Sequence, residues 1–68
     1  MTLGEILKEA RKAKGMTIKD LEGKTDISSV SIGNYERGKR CPRVTQLHIL
    51  CEVLDLDFNE MYNIAYPN

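Results

Sequence analysis

Two helix-start signals lie close together in the middle of this chain, at Thr17 and Ser28, and they restrict the folds available to it. Thr17 can cap a helix whose third residue is Asp20, and Ser28 can cap the next helix. Only a few residues separate Lys24 from Ser28, so the two helices must meet at a sharp corner. Apolar or aromatic residues occupy the inward positions: Leu21, Ile27, Ile32 and Tyr35. The segment therefore predicts two short helices joined by a tight turn.

The remaining sequence indicates three more helices and no convincing strand. Thr2 and Glu5 form a potential capping box before an apolar periodicity that ends at Gly15, and Asp57 can cap the last helix. The predicted helices cover about residues 3–13, 18–24, 29–36, 44–54 and a segment after 57. The core face of the fourth would consist of Val44, Leu47, Leu50, Cys51 and Leu54. The sequence predicts an all-α, compact five-helix bundle, with one domain over residues 1–62 and a fraying C-terminal tail over residues 63–68.

Charge is unevenly distributed along the chain although the net charge is zero. Residues 1–43 contain all ten Lys and Arg with six acidic residues, a balance of +4, whereas residues 44–68 contain four acidic residues and no Lys or Arg. A polyanion would be attracted to the first part and repelled by the second. Small neutral proteins also show uneven charge by chance, and nucleic-acid-binding domains are commonly more basic, so charge alone does not decide the function.

Length and composition argue against several classes of protein. Sixty-eight residues make one small domain, and no segment approaches the roughly 18 apolar residues of a membrane span. We therefore expect a soluble, cytoplasmic protein with no membrane partner. His48 is the single histidine and no nucleophile, base and acid are arranged for catalysis, so we expect neither an enzyme nor a cofactor. Cys41, His48 and Cys51 fall short of a structural zinc set in number and spacing, and we expect no metal.

Several motifs follow one another in an order typical of one protein family: Gly15-Met16-Thr17, Leu21, Ile27-Ser28, Ile32, Glu36-Arg37-Gly38-Lys39-Arg40, Pro42 and Leu47. Together they resemble the Cro/C1-type (xenobiotic-response-element type) helix-turn-helix family, which includes phage repressors and many small bacterial regulators. The resemblance extends from Leu3 to about Met61. It implies a lambda-repressor-like DNA-binding fold and a buried ion pair between Arg11 and Glu36 that belongs to the fold. A solvated Glu36 is the alternative.

Four positions depart from the family pattern. Ile18 replaces a Gln that usually grips a phosphate, and Glu22 replaces an Ala at the close approach of the second and third helices. Asp26 stands where the turn usually has a left-handed Gly, and Thr25 replaces the Leu before the turn. These changes put the packing of the second helix and one backbone contact in question.

In a helix-turn-helix the second helix of the motif lies in the major groove of duplex DNA. Val30 can contact a thymine methyl, and Asn34 can pair with adenine or a phosphate. The outer face has no Arg or Gln, so we expect modest direct readout supplemented by DNA shape. The predicted contacts on this motif are Thr17, Ser28, Ser29, Val30, Ser31, Gly33 and Asn34. An ordinary solvated helix surface is the alternative.

A basic loop follows the third helix. Lys39, Arg40 and Arg43 surround Pro42, and we expect them to contact the sugar-phosphate backbone. Arg37 can contact the backbone or form a surface salt bridge, and the helix amides near Thr17 and Ser28 can bind phosphate. Simple solubility is the alternative explanation for these cations.

One module of this size covers a single half-site, so we expect a homodimer on palindromic DNA. The candidate interface is apolar and lies near the C-terminus: Ile49, Val53, Tyr62, Ile64 and Tyr66. The alternative is that the fifth helix buries these residues within one chain. The overall prediction is a small DNA-binding transcriptional regulator, most simply a repressor of bacterial or phage type. The competing hypothesis is a helix-turn-helix module that binds a toxin or another regulator instead of DNA. Whether the sequence is a full protein or a fragment is left open.

Overall fold

The computed structural model describes residues 1–67, and these residues form five helices and no strand. The helices are α1 (Leu3–Ala13), α2 (Ile18–Thr25), α3 (Ser29–Glu36), α4 (Val44–Leu54) and α5 (Phe58–Ala65). The predicted all-α five-helix architecture is therefore confirmed. The predicted bounds of the first four helices differ from the observed ones at a single residue, Thr25. None of the helices in residues 1–67 has the length and apolar character needed to cross a bilayer.

Side-chain caps explain where four of the five helices begin. The Thr17 hydroxyl accepts a hydrogen bond from the Asp20 amide at 3.0 Å, and the Asp20 carboxylate accepts one from the Thr17 amide at 3.0 Å. Thr2 and Glu5 repeat this box at 3.2 and 2.9 Å. Each cap satisfies amides that a helix leaves without partners, and one cap contributes about 1 kcal/mol. The four capping residues are Thr2, Thr17, Ser28 and Asp57.

Residues with positive φ follow each of the first four helices and turn the chain back toward the core. Gly15 and Gly38 adopt φ values of 70° and 77°, where a side chain would be strained. Asp26 and Asp55 adopt φ values of 64° and 57° after α2 and α4. Aspartate tolerates this left-handed conformation better than most residues. The departure at Asp26 therefore keeps the backbone conformation that the family turn needs.

The core lies where α1, α2, α3 and α4 meet, and a smaller cluster lies under α5. The main cluster consists of Leu7, Leu21, Ile27, Ile32, Tyr35, Leu50 and Leu54. The smaller cluster consists of Leu47, Cys51 and Met61. Leu21 on α2 and both Leu47 and Leu50 on α4 are fully buried, so large aliphatic side chains fix both helices in the core. Val44 is an exception to the predicted core face of α4, because its side chain is 46% exposed.

α1 and α3 pack at very close range, which fixes the direction of α3. A Cβ atom on Gly4 would lie 2.5 Å from the Tyr35 carbonyl oxygen and 2.6 Å from that of Glu36. Further along α1, Arg11 Nε donates to Glu36 Oε2 at 2.7 Å and Arg11 Nη2 donates to Oε1 at 3.0 Å. Arg11 also donates from Nη1 to the Met16 carbonyl at 2.8 Å. Two planar hydrogen bonds between these charges hold the last turn of α3 against α1.

The C-terminal end of the chain is more ordered than a fraying tail. α5 continues to Ala65, so a boundary between residues 62 and 63 falls inside that helix. The Tyr66 amide donates to the Tyr62 carbonyl at 2.8 Å, and the Tyr66 hydroxyl donates to the Pro42 carbonyl. These bonds fix Tyr66 against the rest of the domain. The last residue of the predicted tail, Asn68, lies outside the described residues.

Candidate nucleic-acid interface

The turn between α2 and α3 contains Thr25 and Asp26, two of the residues that depart from the family pattern. Thr25 is buried, and its hydroxyl donates to the Leu21 carbonyl at 2.8 Å. The same hydroxyl accepts from the Ile27 amide at 3.2 Å. Thr25 thus replaces an apolar residue without leaving a polar group unsatisfied. Ile27 anchors the turn in the core, so α3 leaves it at a fixed angle.

Glu22 links the two helices of the motif. The Ser29 hydroxyl, at the start of α3, donates to Glu22 Oε1 at 2.6 Å. This hydrogen bond lowers the pKa of the Glu22 carboxyl below its usual value, and the nearby Lys19 acts in the same direction. The charged side chain at a close helix approach is thus accommodated by a hydrogen bond. Its consequence is that the Ser29 hydroxyl is already engaged in the free protein.

The first turn of α3 presents Ser28 and Val30 to solvent. Val30 is 73% exposed, although the opposite side of the same helix is buried through Ile32 and Tyr35. The Ser28 side chain caps the helix by accepting from the Ser31 amide at 3.1 Å, and its hydroxyl donates to the Ser31 hydroxyl at 3.0 Å. Ser28 is exposed and Ser31 is partly exposed. An aliphatic group therefore stands in solvent, flanked by small hydroxyl side chains.

The second turn of α3 is covered by Arg37, contrary to the expected open surface at Gly33. A Cβ atom on Gly33 would lie 3.1 Å from Arg37 Nη1, and Gly33 is buried. Arg37 Nη2 donates to Asn34 Oδ1 at 2.8 Å. The guanidinium group lies across the backbone at Gly33 and holds the amide oxygen of Asn34. In the free protein Gly33 is buried beneath the Arg37 side chain, whereas Asn34 is partly exposed and has its amide oxygen engaged.

Thr17 is exposed at the start of α2, but its polar groups are used within the chain. Its hydroxyl and its amide both bond to Asp20, as described above. A phosphate at this helix end would meet the Asp20 carboxylate, which repels it. The bonds to Thr17 lower the pKa of Asp20, so this carboxylate is charged at neutral pH. The structure therefore favours α3 over the start of α2 as the contact surface.

The basic loop closes directly onto the end of α3. The amides of Lys39 and Arg40 donate to the Asn34 carbonyl at 2.9 and 3.3 Å. Lys39, Arg40 and Arg43 are exposed, and none of them forms an ion pair with an acidic group of residues 1–67. Pro42 is fully buried and fixes the middle of the loop. Three cations are thus held near the end of α3 with their charges uncompensated.

The candidate interface residues lie on α4, on α5 and directly after α5, and most of them are partly exposed. Four of them are more than a third exposed: Ile49, Tyr62, Ile64 and Tyr66. Val53 is half-buried and packs against the main core cluster. An aromatic row runs beside them, with ring centroids 5.2 Å apart for His48 and Phe58, 5.8 Å for Phe58 and Tyr62, and 5.2 Å for Tyr62 and Tyr66. The fifth helix therefore does not bury this surface completely.

The cysteines and the histidine are dispersed. Cys51 is buried in the smaller cluster, where burial raises the pKa of its thiol, and Cys41 is exposed in the basic loop. His48 is exposed on α4. Residues 1–67 contain no cluster of three or more His, Cys, Asp or Glu side chains placed to hold a metal ion.

The fold and the turn between α2 and α3 define a class of protein, and comparison with known proteins identifies it. A helix-turn-helix family model matches residues 7–61. The chain belongs to the helix-turn-helix family, and the predicted resemblance is confirmed.

A curated protein extends this likeness beyond the motif. The chain is similar to the HTH-type transcriptional regulator ImmR of Bacillus subtilis (strain 168), with 35% identity over 65 residues. The similarity covers 96% of this chain and 45% of that regulator. The chain therefore spans less than half the length of this relative.

Three side-chain contacts at the candidate interface could not be found in the sequence. They join Glu22 to Ser29, Arg37 to Asn34 and Tyr66 to Pro42. Only the Arg37–Asn34 spacing is a local helical one, and a pair three residues apart is too common to indicate a contact by itself. The other two depend on how the helices pack.

Proposed function

We propose that this chain is the DNA-binding domain of a transcriptional regulator and places α3 in the major groove of duplex DNA. The observation that carries the proposal is the 73% exposure of Val30 on the first turn of α3. An aliphatic side chain there gains nothing within the chain, but it suits the methyl group of thymine. Membership of the helix-turn-helix family and the likeness to a transcriptional regulator support the same function.

In this proposal the two parts of the surface have different tasks. Val30 and Ser28 read base edges, because their side chains are exposed at the start of α3. Ser29 and Ser31 assist from positions already engaged by Glu22 and Ser28. Gly33 and Asn34 are contacted after Arg37 moves from its place across α3 to a phosphate. Thr17 contacts the DNA backbone only weakly, because the charged Asp20 carboxylate lies beside it.

The basic loop supplies affinity that does not depend on sequence. Lys39, Arg40 and Arg43 neutralise phosphates and release counterions, so binding weakens as salt increases. The magnitude of the slope of log affinity against log salt concentration decreases by about 0.9 for each phosphate contact that is lost. Because α3 has no Arg or Gln on its outer face, most of the affinity comes from this loop and from DNA shape.

We further propose that two copies bind a palindromic site through the surface formed by Ile49, Val53, Tyr62, Ile64 and Tyr66. Its partial exposure supports this assignment. We place the protein in the cytoplasm and propose that it represses, because a domain that occupies DNA excludes polymerase without any further contact. Catalysis is not part of the proposed function, and the protein needs no cofactor for it.

Selection of bound duplexes from a random pool tests the proposed function, with sedimentation of the free and bound protein alongside. We expect enrichment of a palindromic site and a complex with two copies of the chain. The competing hypothesis of a purely protein-binding module is supported by neither comparison. It would be favoured if the chain bound no duplex at low salt while its α-helical circular dichroism and thermal transition were intact.

A further inference from the structure

The basic loop is attached to the C-terminal end of α5 as well as to α3. The Tyr66 hydroxyl donates to the Pro42 carbonyl at 2.5 Å. The Cys41 thiol lies 3.7 Å from the Ala65 carbonyl oxygen, which gives a second and weaker contact. Pro42 and Cys41 stand between Arg40 and Arg43 in the loop. The end of α5 therefore contacts the loop backbone in the middle of its cations.

Tyr66 is itself held in place, so it can act as a support. Its ring packs against Tyr62 with centroids 5.2 Å apart, and its amide donates to the Tyr62 carbonyl at 2.8 Å. Desolvation by burial, with a smaller contribution from Cys41, raises the pKa of the Tyr66 hydroxyl above its ordinary value. The hydroxyl is therefore a protonated donor at neutral pH. The ring orients it and the Pro42 carbonyl accepts its hydrogen bond.

The ring of Pro42 is buried, but the residues just before it lie beside open space. Lys39, Arg40 and Cys41 border an open cleft of about 350 Å³, whose other walls include Leu3 and Ile64. At its beginning, the loop is held by the bonds from the Lys39 and Arg40 amides to the Asn34 carbonyl. Beyond Arg40, the Tyr66 hydroxyl bonds to the Pro42 carbonyl, and the Leu47 amide bonds to the Arg43 carbonyl at 2.8 Å. Among the side chains of residues 1–67, Tyr66 is the one that forms a hydrogen bond to the backbone of the loop.

We propose that Tyr66 is a positioning residue for DNA binding, whose hydroxyl holds the basic loop in the form that meets the phosphate backbone. The proposal rests on the proposed function, because it assigns Lys39, Arg40 and Arg43 to phosphates. Tyr66 does not touch DNA in this account. It acts through the Pro42 carbonyl by reducing the conformational entropy that the loop would lose on binding.

The test compares Tyr66→Phe with Tyr35→Phe. Each variant keeps its ring and removes one hydroxyl that donates a hydrogen bond, but the Tyr35 hydroxyl donates to the Gln46 side chain and not to the loop. We expect Tyr66→Phe to weaken binding to a random duplex by about fivefold, the value of one neutral hydrogen bond. We also expect log affinity to depend less steeply on log salt concentration in Tyr66→Phe. A general loss of stability would not change this slope at temperatures where both variants are fully folded. Tyr35→Phe should bind like the wild type, and sedimentation checks that all three proteins have the same oligomeric state.

A second measurement does not depend on DNA. Hydrogen exchange at the Lys39 and Arg40 amides should be several-fold faster in Tyr66→Phe than in Tyr35→Phe, with exchange in α1 of Tyr66→Phe unchanged. In the corresponding mutant cycle, Tyr66→Phe should have no further effect on affinity once Lys39, Arg40 and Arg43 are all replaced by Ala. Equal exchange rates and equal affinities in the two Phe variants would overturn the proposal. Failure of the wild type to bind any duplex would overturn the proposed function instead. In that case, faster exchange at the Lys39 and Arg40 amides of Tyr66→Phe would still show that Tyr66 holds the loop.

Discussion

The Ser29 hydroxyl donates a 2.6 Å hydrogen bond to the Glu22 carboxylate and thereby ties the first residue of α3 to the middle of α2. A negative charge near the start of a helix is favourable for the helix dipole. The same position is where a DNA phosphate would gain from that dipole. Glu22 therefore stabilises the motif and opposes the polyanion that the motif is proposed to bind.

The first prediction separates these two effects of Glu22. Glu22→Gln keeps an oxygen acceptor for Ser29 and removes the charge. We expect affinity for a random duplex at low salt to increase by about threefold, because one repulsive charge is lost. The matched control is Glu9→Gln on the exposed surface of α1, which should change affinity less. Fluorescence anisotropy measures both affinities, and a lower affinity of Glu22→Gln would contradict the proposed repulsion between Glu22 and DNA.

The second prediction concerns pH and stability. The folded protein holds the pKa of the Glu22 carboxyl below its ordinary value, mainly through the hydrogen bond from Ser29. The charged carboxylate therefore stabilises the fold above the unfolded pKa, and this contribution is lost as the pH falls through the folded value. Urea unfolding, measured from neutral pH down to pH values below the ordinary pKa of a glutamate, should show a smaller acid-induced loss of stability in Glu22→Gln than in the wild type. Equal losses in both proteins would show that Glu22 contributes nothing to the acid sensitivity.

The third prediction concerns the ion pair that joins α1 to α3. Arg11 is only 8% exposed, so removing the charge of its partner leaves a buried guanidinium without compensation. We expect Glu36→Gln to lower the free energy of unfolding by about 3 kcal/mol. The double variant Arg11→Met with Glu36→Leu should recover much of this loss, because neither charge then remains buried. Denaturant titration measures all three proteins, and a cost in Glu36→Gln no larger than that of an exposed acid would contradict the buried pair.

The fourth prediction uses two helical glycines as a matched pair. A Cβ on Gly4 would lie 2.5 Å from a backbone oxygen of α3, whereas a Cβ on Gly23 would meet nothing within 4 Å. We expect Gly4→Ala to destabilise the fold by about 2 kcal/mol or more, because α1 and α3 must separate. Gly23→Ala should stabilise it by roughly 0.5–1 kcal/mol through helix propensity. Thermal unfolding measures both, and equal shifts in the two variants would contradict the close packing of α1 on α3.

The secondary structure could be predicted because its determinants are local. Thr2, Thr17, Ser28 and Asp57 each precede a helix and cap it through a residue three positions on. The predicted core positions Leu47, Leu50 and Leu54 are buried, since helical spacing places them on one face of α4.

The details of the candidate interface depended on tertiary packing and were not predictable in the same way. The sequence assigns an open surface to Gly33, but whether Arg37 lies across it depends on a side-chain rotamer. Val44 has the spacing of a core residue, yet it stands at the start of α4 beyond the edge of the packed helices. Tyr66 was expected to fray, and it is held by a carbonyl 24 residues away in sequence. No local pattern indicates contacts of this kind.

The central claim is that the first turn of α3 reads bases while the basic loop binds phosphates. It is tested most directly by selecting random duplexes in parallel with the wild type, Val30→Ala and Lys39→Ala. We predict that Val30→Ala alters the preferred base at one position of each half-site without changing the thermal midpoint. Lys39→Ala should bind the wild-type site more weakly, with unchanged preference and a salt slope reduced by about one. Identical base preferences for the wild type and Val30→Ala would contradict the claim.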